Sequence, residues 1–216
     1  MKRTLIYLGY ADPAPDLYCH LYDEVVETRS MDQITSVANP SCLILFGGGE
    51  DISPSLYEEP PSKHSDAKES LSQRDIFEAG IFAYAKANGI PMLGICRGAQ
   101  LLCALSGGKV VQHVYGHSQL HLITTKEGDK FPSSSVHHQM MYPFEIDHLT
   151  IAWSSNKLSK EYVLNDQKTV DQLPSEPEIV YFPKTKSLGI QGHPEYMSEE
   201  TPFVKYTQQL VRRYLV

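Results

Sequence analysis

The sequence predicts an α/β domain built on a mostly parallel central sheet flanked by helices. Three observations carry that expectation. Short, wholly apolar runs alternate with amphipathic stretches at helical spacing, the pattern of strands buried on both faces and linked by crossover helices. One such run, 42–46 (CLILF), stops at Gly47, Gly48 and Gly49, as a parallel strand does when it feeds a loop at its carboxyl end. Another, 91–95 (PMLGI), leads directly into Cys96, Arg97, Gly98 and a helix-like segment. At 216 residues the chain fits one domain, 1–216. A domain of that size buries roughly 70% of its unfolded surface and needs neither disulfides nor a structural metal to fold.

In order along the chain, residues 4–8 read as a first strand. The two basic residues before it give the start a leader-like look, but the apolar run is short and carries tyrosine and glycine. The next buried strand is 42–46, and the proline-rich, charged stretch 53–72 reads as a long surface loop. Ser72 opens a helix with Asp75 as its capping-box partner; Phe77, Ile81 and Tyr84 recur at helical spacing, and Asn88-Gly89 ends it. A strand at 91–95 tolerates its proline at the first position. Residues 99–105 form a helix closed by Gly107-Gly108, 109–114 a third strand, and 187–191 a strand near the end. Ser198 is placed to cap a last helix with the apolar stripe Phe203, Leu210, Val211, Tyr214 and with Arg212-Arg213 at its negative end. Residues 156–177 read as irregular, and there is no internal repeat.

Composition narrows the function. The net charge of −7 disfavours nucleic acid and anionic membrane as partners, and the basic pairs Lys184/Lys186 and Arg212/Arg213 are too small to alter that. Cys19, Cys42, Cys96 and Cys103 match neither a zinc pattern nor a dense disulfide framework, so they read as reduced thiols of a cytoplasmic protein. No apolar run approaches the ~20 residues of a membrane helix.

The chemistry centres on Gly94-Ile95-Cys96-Arg97-Gly98, between a buried strand and a helix. This is the spacing of a nucleophile elbow. A sharp strand-to-helix turn strains the central residue and crowds those two before and two after, so both are glycine. The turn lifts the sulfur to the sheet edge at a helix N-terminus, which favours negative charge. The Arg97 backbone N–H is then half of an oxyanion hole. A thiol nucleophile needs a base and a group to orient that base. His193, followed by Pro194 and Glu195 after a C-terminal strand, supplies both. The 47–49 loop offers bare N–H groups as the second oxyanion donor; it lacks the Lys-Ser/Thr of a nucleotide loop.

These residues resemble the class I glutamine amidotransferase-like family, Cys-His-Glu branch, and within it the γ-glutamyl-γ-aminobutyrate hydrolase group (peptidase family C26). The matching stretches are FGGGEDISPSLYEE (46–59), RDIFE (74–78), PMLGICRGAQLL (91–102), GGKVVQH (107–113), HHQ (137–139) and GIQGHPE (189–195). The resemblance implies a flavodoxin-like, class I glutamine amidotransferase fold. It implies Cys96 as nucleophile, His193 as base, Glu195 as orienter and an oxyanion hole from Gly48, Gly49 and Arg97. It also implies that Gln100 helps hold the glutamyl group. His137, His138 and Gln139 read either as contacts to the substrate's α-amino or carboxylate group or as a loop that packs under the site. The sequence departs from the group at Gly192, where an aromatic residue is usual, at 133–136, where only Ser135 matches, and at Cys103 in place of asparagine. Gly192 removes a wall, which would suit either an open pocket or a docking surface.

The expected activity is cleavage of the γ-glutamyl amide bond of glutamine or a γ-glutamyl amine through a thioester, with no cofactor. One alternative is a glutaminase subunit feeding ammonia to a synthetase or amidoligase partner. Another is a catalytically silent binding or chaperone-like relative. No metal site is expected. His113, His117 and His121 recur every four residues, but their neighbours argue against a helix and no thiol or carboxylate lies at ligand spacing.

Overall fold

The structure, a computed structural model, describes residues 2–9 and 15–216. The first half of the chain runs β1 (Thr4–Tyr7), α1 (Pro15–Cys19), β2 (Glu24–Glu27), α2 (Met31–Val37), β3 (Leu43–Phe46), α3 (Gln73–Asn88), β4 (Met92–Ile95), α4 (Arg97–Leu105). The second runs β5 (Lys109–Val111), β6 (His121–Thr125), β7 (Lys130–Ser133), β8 (Met140–Tyr142), β9 (Leu149–Ser154), β10 (Tyr162–Asn165), β11 (Lys168–Val170), β12 (Pro177–Phe182), β13 (Ser187–Ile190), α5 (Pro202–Tyr214). Among the described residues the main sheet has nine strands in the order β2-β1-β3-β4-β13-β12-β9-β6-β7. The half from β2 to β13 is parallel, and β12, β9, β6 and β7 extend it antiparallel.

The apolar runs fill the centre because both faces of the parallel half are covered. Leu5, Leu43, Leu45, Leu93 and Ile95 pack with Leu17 of α1 and Phe203, Val204, Leu210 and Val211 of α5. Their alternates Ile6, Ile44, Phe46 and Met92 pack with Ile34 of α2, Ile81 and Phe82 of α3, and Leu101 and Leu102 of α4. Strand side chains alternate between faces, so a continuous apolar run is what a strand with helices on both sides requires. Truncating one of these, such as Ile44→Ala, removes about 2–5 kcal/mol of stability.

Several boundaries follow the sequence reading. Ser72 and Asp75 form the full capping box of α3, and Gly89 ends it in the left-handed region at φ 65°. Others differ. The segment expected as a third sheet strand, 109–114, yields β5, which pairs antiparallel with β8 in a separate small sheet. The seat beside β4 is taken by β13 instead. The last helix begins at Pro202, not after Ser198, because a proline is pre-set for the first helical position. Ser198 instead closes a turn, its carbonyl accepting from Thr201 N at 3.0 Å. The stretch 156–177, expected to be irregular, contains the β10–β11 hairpin.

The topology fixes the site. β3, β4 and β13 are parallel neighbours, with Phe46 opposite Gly94 and Ile190 opposite Ile95. Their carboxyl ends therefore deliver the 47–49 loop, Cys96 and His193 to one edge of the sheet.

Candidate active site

Cys96 precedes α4 with φ 51° and ψ −107°, a conformation that few residues other than glycine adopt. The turn is held by Cys96 N donating to Ile190 O at 2.8 Å and Gln100 N donating to Cys96 O at 3.1 Å. The two flanking glycines are sterically required. A Cβ on Gly94 would collide with the backbone of Gly98, and one on Gly98 with the carbonyl of Phe46. The Arg97 N–H opens α4 and has no acceptor within the helix.

His193 follows β13. Its N–H donates to Ser134 O at 3.2 Å, and Ser134 Oγ returns a hydrogen bond to His193 O. Its ring Nδ1–H donates to Glu195 Oε1 at 2.6 Å. Tyr196 stacks on the imidazole with centroids 4.5 Å apart and planes 2° from parallel. Burial would lower the His193 pKa, but Cys96 on one side and Glu195 on the other outweigh it and carry it up to about 10. Gly48 closes the group: a Cβ there would stand 3.1 Å from His193 Cε1 and 3.7 Å from Cys96 Cβ. Cys96, His193, Glu195 and Gly48 thus converge, as the sequence reading expects.

What sequence reasoning missed is the support beneath them. Arg97 is buried, 1% exposed. Its guanidinium pairs with Asp75 Oδ1 at 2.7 Å and with Glu78 Oε2. Arg74 pairs with Glu78 Oε1 at 3.0 Å and Glu50 Oε2 at 3.0 Å, and its Nη2 donates to Gly47 O at 3.1 Å and Gly48 O at 2.9 Å. Gly49, at φ 137°, lies against the same guanidinium. One buried network therefore ties the glycine loop to the elbow. The i,i+4 spacing of Arg74 and Glu78 was its sequence signal.

The expected substrate contacts part company. Gln100 Nε2 donates to Gln139 O at 3.0 Å, joining α4 to the 137–139 segment. His138 Nε2 contacts Asp51 Oδ1 at 3.1 Å, and that carboxylate raises its pKa. The Gln139 side chain reaches Ser65 Oγ at 3.4 Å. His137 is 3% exposed and turned into the interior, its Nδ1–H donating to Gln139 O at 2.7 Å and its Nε2 4.0 Å from Glu178 Oε1. Gly192 opens no pocket: a Cβ there would strike Ser133 Oγ and lie 2.7 Å from Ser134 O and 3.1 Å from Phe203 Cζ. The space is taken by the Ser133 side chain, the Ser134 carbonyl and Phe203. Of the spaced histidines, His113 stacks on His64 at 4.5 Å, while His117 and His121 meet Glu176 and Glu178, carboxylates brought by β12 and the residue before it.

The family model of Peptidase C26 matches residues 26–163, more than half of the chain. A putative glutamine amidotransferase-like protein of Rickettsia prowazekii is 39% identical over 72 residues, covering 33% of this chain and 25% of that protein. A GMP synthase [glutamine-hydrolyzing] of Clostridium kluyveri is 28% identical over 192 residues, 88% of this chain and 30% of its own length. The chain thus spans about a quarter to a third of the length of these curated relatives. The solved structure of PurLQS from Thermotoga maritima superposes over 100% of both chains with a TM-score of 0.62 at 16% identity, which is a likeness of fold. No helix among the described residues is long and apolar enough to cross a membrane.

Proposed function

The chain belongs to the Peptidase C26 family, a class I glutamine amidotransferase-like group, and on that footing we propose that it hydrolyses the γ-glutamyl amide bond of glutamine or of γ-glutamyl amines through a thioester on Cys96. The observation that carries this reading is the strained Cys96 beside a histidine that Glu195 orients at 2.6 Å. In this mechanism His193, its pKa raised to about 10, carries the proton while Cys96 attacks as the thiolate. The thiolate attacks the side-chain carbonyl carbon. The resulting oxyanion is held by backbone N–H groups of Gly48, Gly49 and Arg97. His193 gives its Nε2 proton to the departing nitrogen, and ammonia or an amine leaves. Neutral His193 then takes a proton from water, whose oxygen attacks the thioester; glutamate departs and the ion pair is restored. In this reading Gln100, one turn into α4 from Cys96 and bonded to Gln139 O at 3.0 Å, forms with the 139 backbone the wall that receives the glutamyl head. His137 serves that wall from behind, through Gln139 O.

A second reading, a glutaminase subunit passing ammonia to a synthetase or amidoligase partner, is favoured by the similarity to GMP synthase across 88% of the chain. The packing around Gly192 also favours it, since no extra room for an alkyl amine is created there. The purified chain, assayed on glutamine and on γ-glutamyl amines, separates the two. Turnover of γ-glutamyl amines supports the hydrolase. Glutamine turnover alone, with amines neither reacting nor inhibiting, supports the subunit. No turnover with either substrate, with or without a partner synthetase, leaves a silent relative.

A further inference from the structure

Beneath the 133–139 segment, three buried imidazoles surround one carboxylate oxygen. Glu178 Oε1 lies 3.3 Å from His117 Nδ1, 2.9 Å from His121 Nε2 and 4.0 Å from His137 Nε2. We propose that His117, His121, His137 and Glu178 bind a divalent transition-metal ion of the zinc type, as a structural tie under the candidate active site.

The hydrogen bonds on the far sides of the rings decide which atoms face the centre. His137 Nδ1 is 2.7 Å from Gln139 O, and His121 Nδ1 is 3.2 Å from Gln119 O. A carbonyl only accepts, so the His137 ring carries its proton on Nδ1 and turns its Nε2 lone pair toward Glu178, whereas His121 faces an acceptor at each nitrogen, Gln119 O and, at 2.9 Å, Glu178 Oε1. His117 Nε2 lies 3.3 Å from Glu176 Oε2. Glu176 is fixed by Leu158 N, Ser159 N and Tyr162 Oη, all within 3.1 Å. A lone pair facing a carboxylate is repelled unless a cation lies between them. Protonation of His117 and His121 answers only their own contacts. It leaves His137 Nε2 and Glu178 Oε2 buried with no hydrogen-bond partner among the described residues. One divalent ion answers all of them.

The chemistry of the donor set fits. Imidazole nitrogen with one carboxylate suits zinc-type ions, and the outer acceptors Glu176, Gln139 O and Gln119 O are the groups that orient metal-bound histidines. Ligand atoms of His117, His137 and Glu178 already lie within 4.8 Å of one another, and His121 is in contact with the same carboxylate. The tie would secure the segment that meets both sides of the elbow. His117 O accepts from His137 N and Ser135 Oγ, Ser134 clamps His193, and Gln139 O receives Gln100.

The test uses the full chain carrying no histidine tag. Native protein is analysed for metals; chelated protein is titrated with Zn²⁺ by calorimetry and with Co²⁺ by absorption, and its melting midpoint is followed. The expected result is about one equivalent bound per chain, a tetrahedral Co²⁺ spectrum and a midpoint that rises with Zn²⁺. His137→Gln should weaken binding by more than about 100-fold, and Glu176→Gln by about 10–100-fold. Cys96→Ala and His138→Ala should leave binding intact. Wild-type protein that takes up neither ion and melts at the same temperature with or without Zn²⁺ overturns the proposal in favour of a proton-bridged cluster. Binding lost in Cys96→Ala or His138→Ala places the ion elsewhere and overturns it too. The proposed hydrolysis does not depend on either outcome.

Discussion

Cys96 can hold φ 51° because its two flanking glycines carry no Cβ to block the close approach of the Gly98 and Phe46 backbone. Adding a side chain at either position drives Cβ into backbone, which cannot rotate away. Gly94→Val and Gly98→Val are therefore each expected to cost more than about 3 kcal/mol and to abolish activity, read by denaturant unfolding and turnover. A fully active, stable variant at either position would contradict the elbow. At the same scale, Cys96→Ala should remove turnover, whereas Glu195→Gln should lower kcat by about 10²–10⁴ because the imidazole loses its orienting acceptor but stays in place. The juxtaposition of Cys96, His193 and Glu195 was legible because Cys96 and His193 each follow the carboxyl end of a strand and Glu195 stands two residues beyond His193. The surroundings of His137 were not. Its carboxylate partner comes from β12, and no local spacing announces a contact made across the sheet.

The 74–78 segment of α3 acts as a strut. Arg97 is held between Asp75 and Glu78, and Arg74 carries the same network to the carbonyls of Gly47 and Gly48. Arg97→Met leaves buried Asp75 without its cation and Glu78 with Arg74 alone, and is expected to destabilise the chain by about 3–5 kcal/mol in urea unfolding. A loss under about 1 kcal/mol would show that the network is not holding the elbow. The strands of the parallel half were legible because burial on both faces writes an unbroken apolar run, as in LILF and MLGI. The antiparallel extension was not. β6 reads HLITT and β7 reads KFPS, with exposed and buried positions mixed and few β-branched residues to mark β7. The edge strand β2, EVVE, is half exposed for the same reason.

For the whole molecule, the histidines set the pH of greatest stability. His193 and His117 have folded pKa values raised to about 10 and about 9, so what they contribute is fully present below their unfolded value of 6.5 and is lost as pH rises toward those values. His137, lowered from 6.5 to about 3, contributes above 6.5 and loses that contribution as pH falls. Glu176 and Glu178, lowered from 4.5, act in the same direction further into acid. The melting midpoint of metal-free protein should therefore peak near pH 6.5, and His137→Gln should flatten the limb just below it. A midpoint still climbing between about pH 7 and 9 would contradict these assignments. The central claim, a glutamyl thioester on Cys96, is tested most directly by quenching the purified chain in acid during turnover of glutamine and mapping its mass by peptide. A gain of one glutamyl group on the Cys96 peptide, absent in Cys96→Ala and accompanied by released ammonia, is the predicted result; ammonia release without that adduct, and undiminished in Cys96→Ala, is the result that would contradict it.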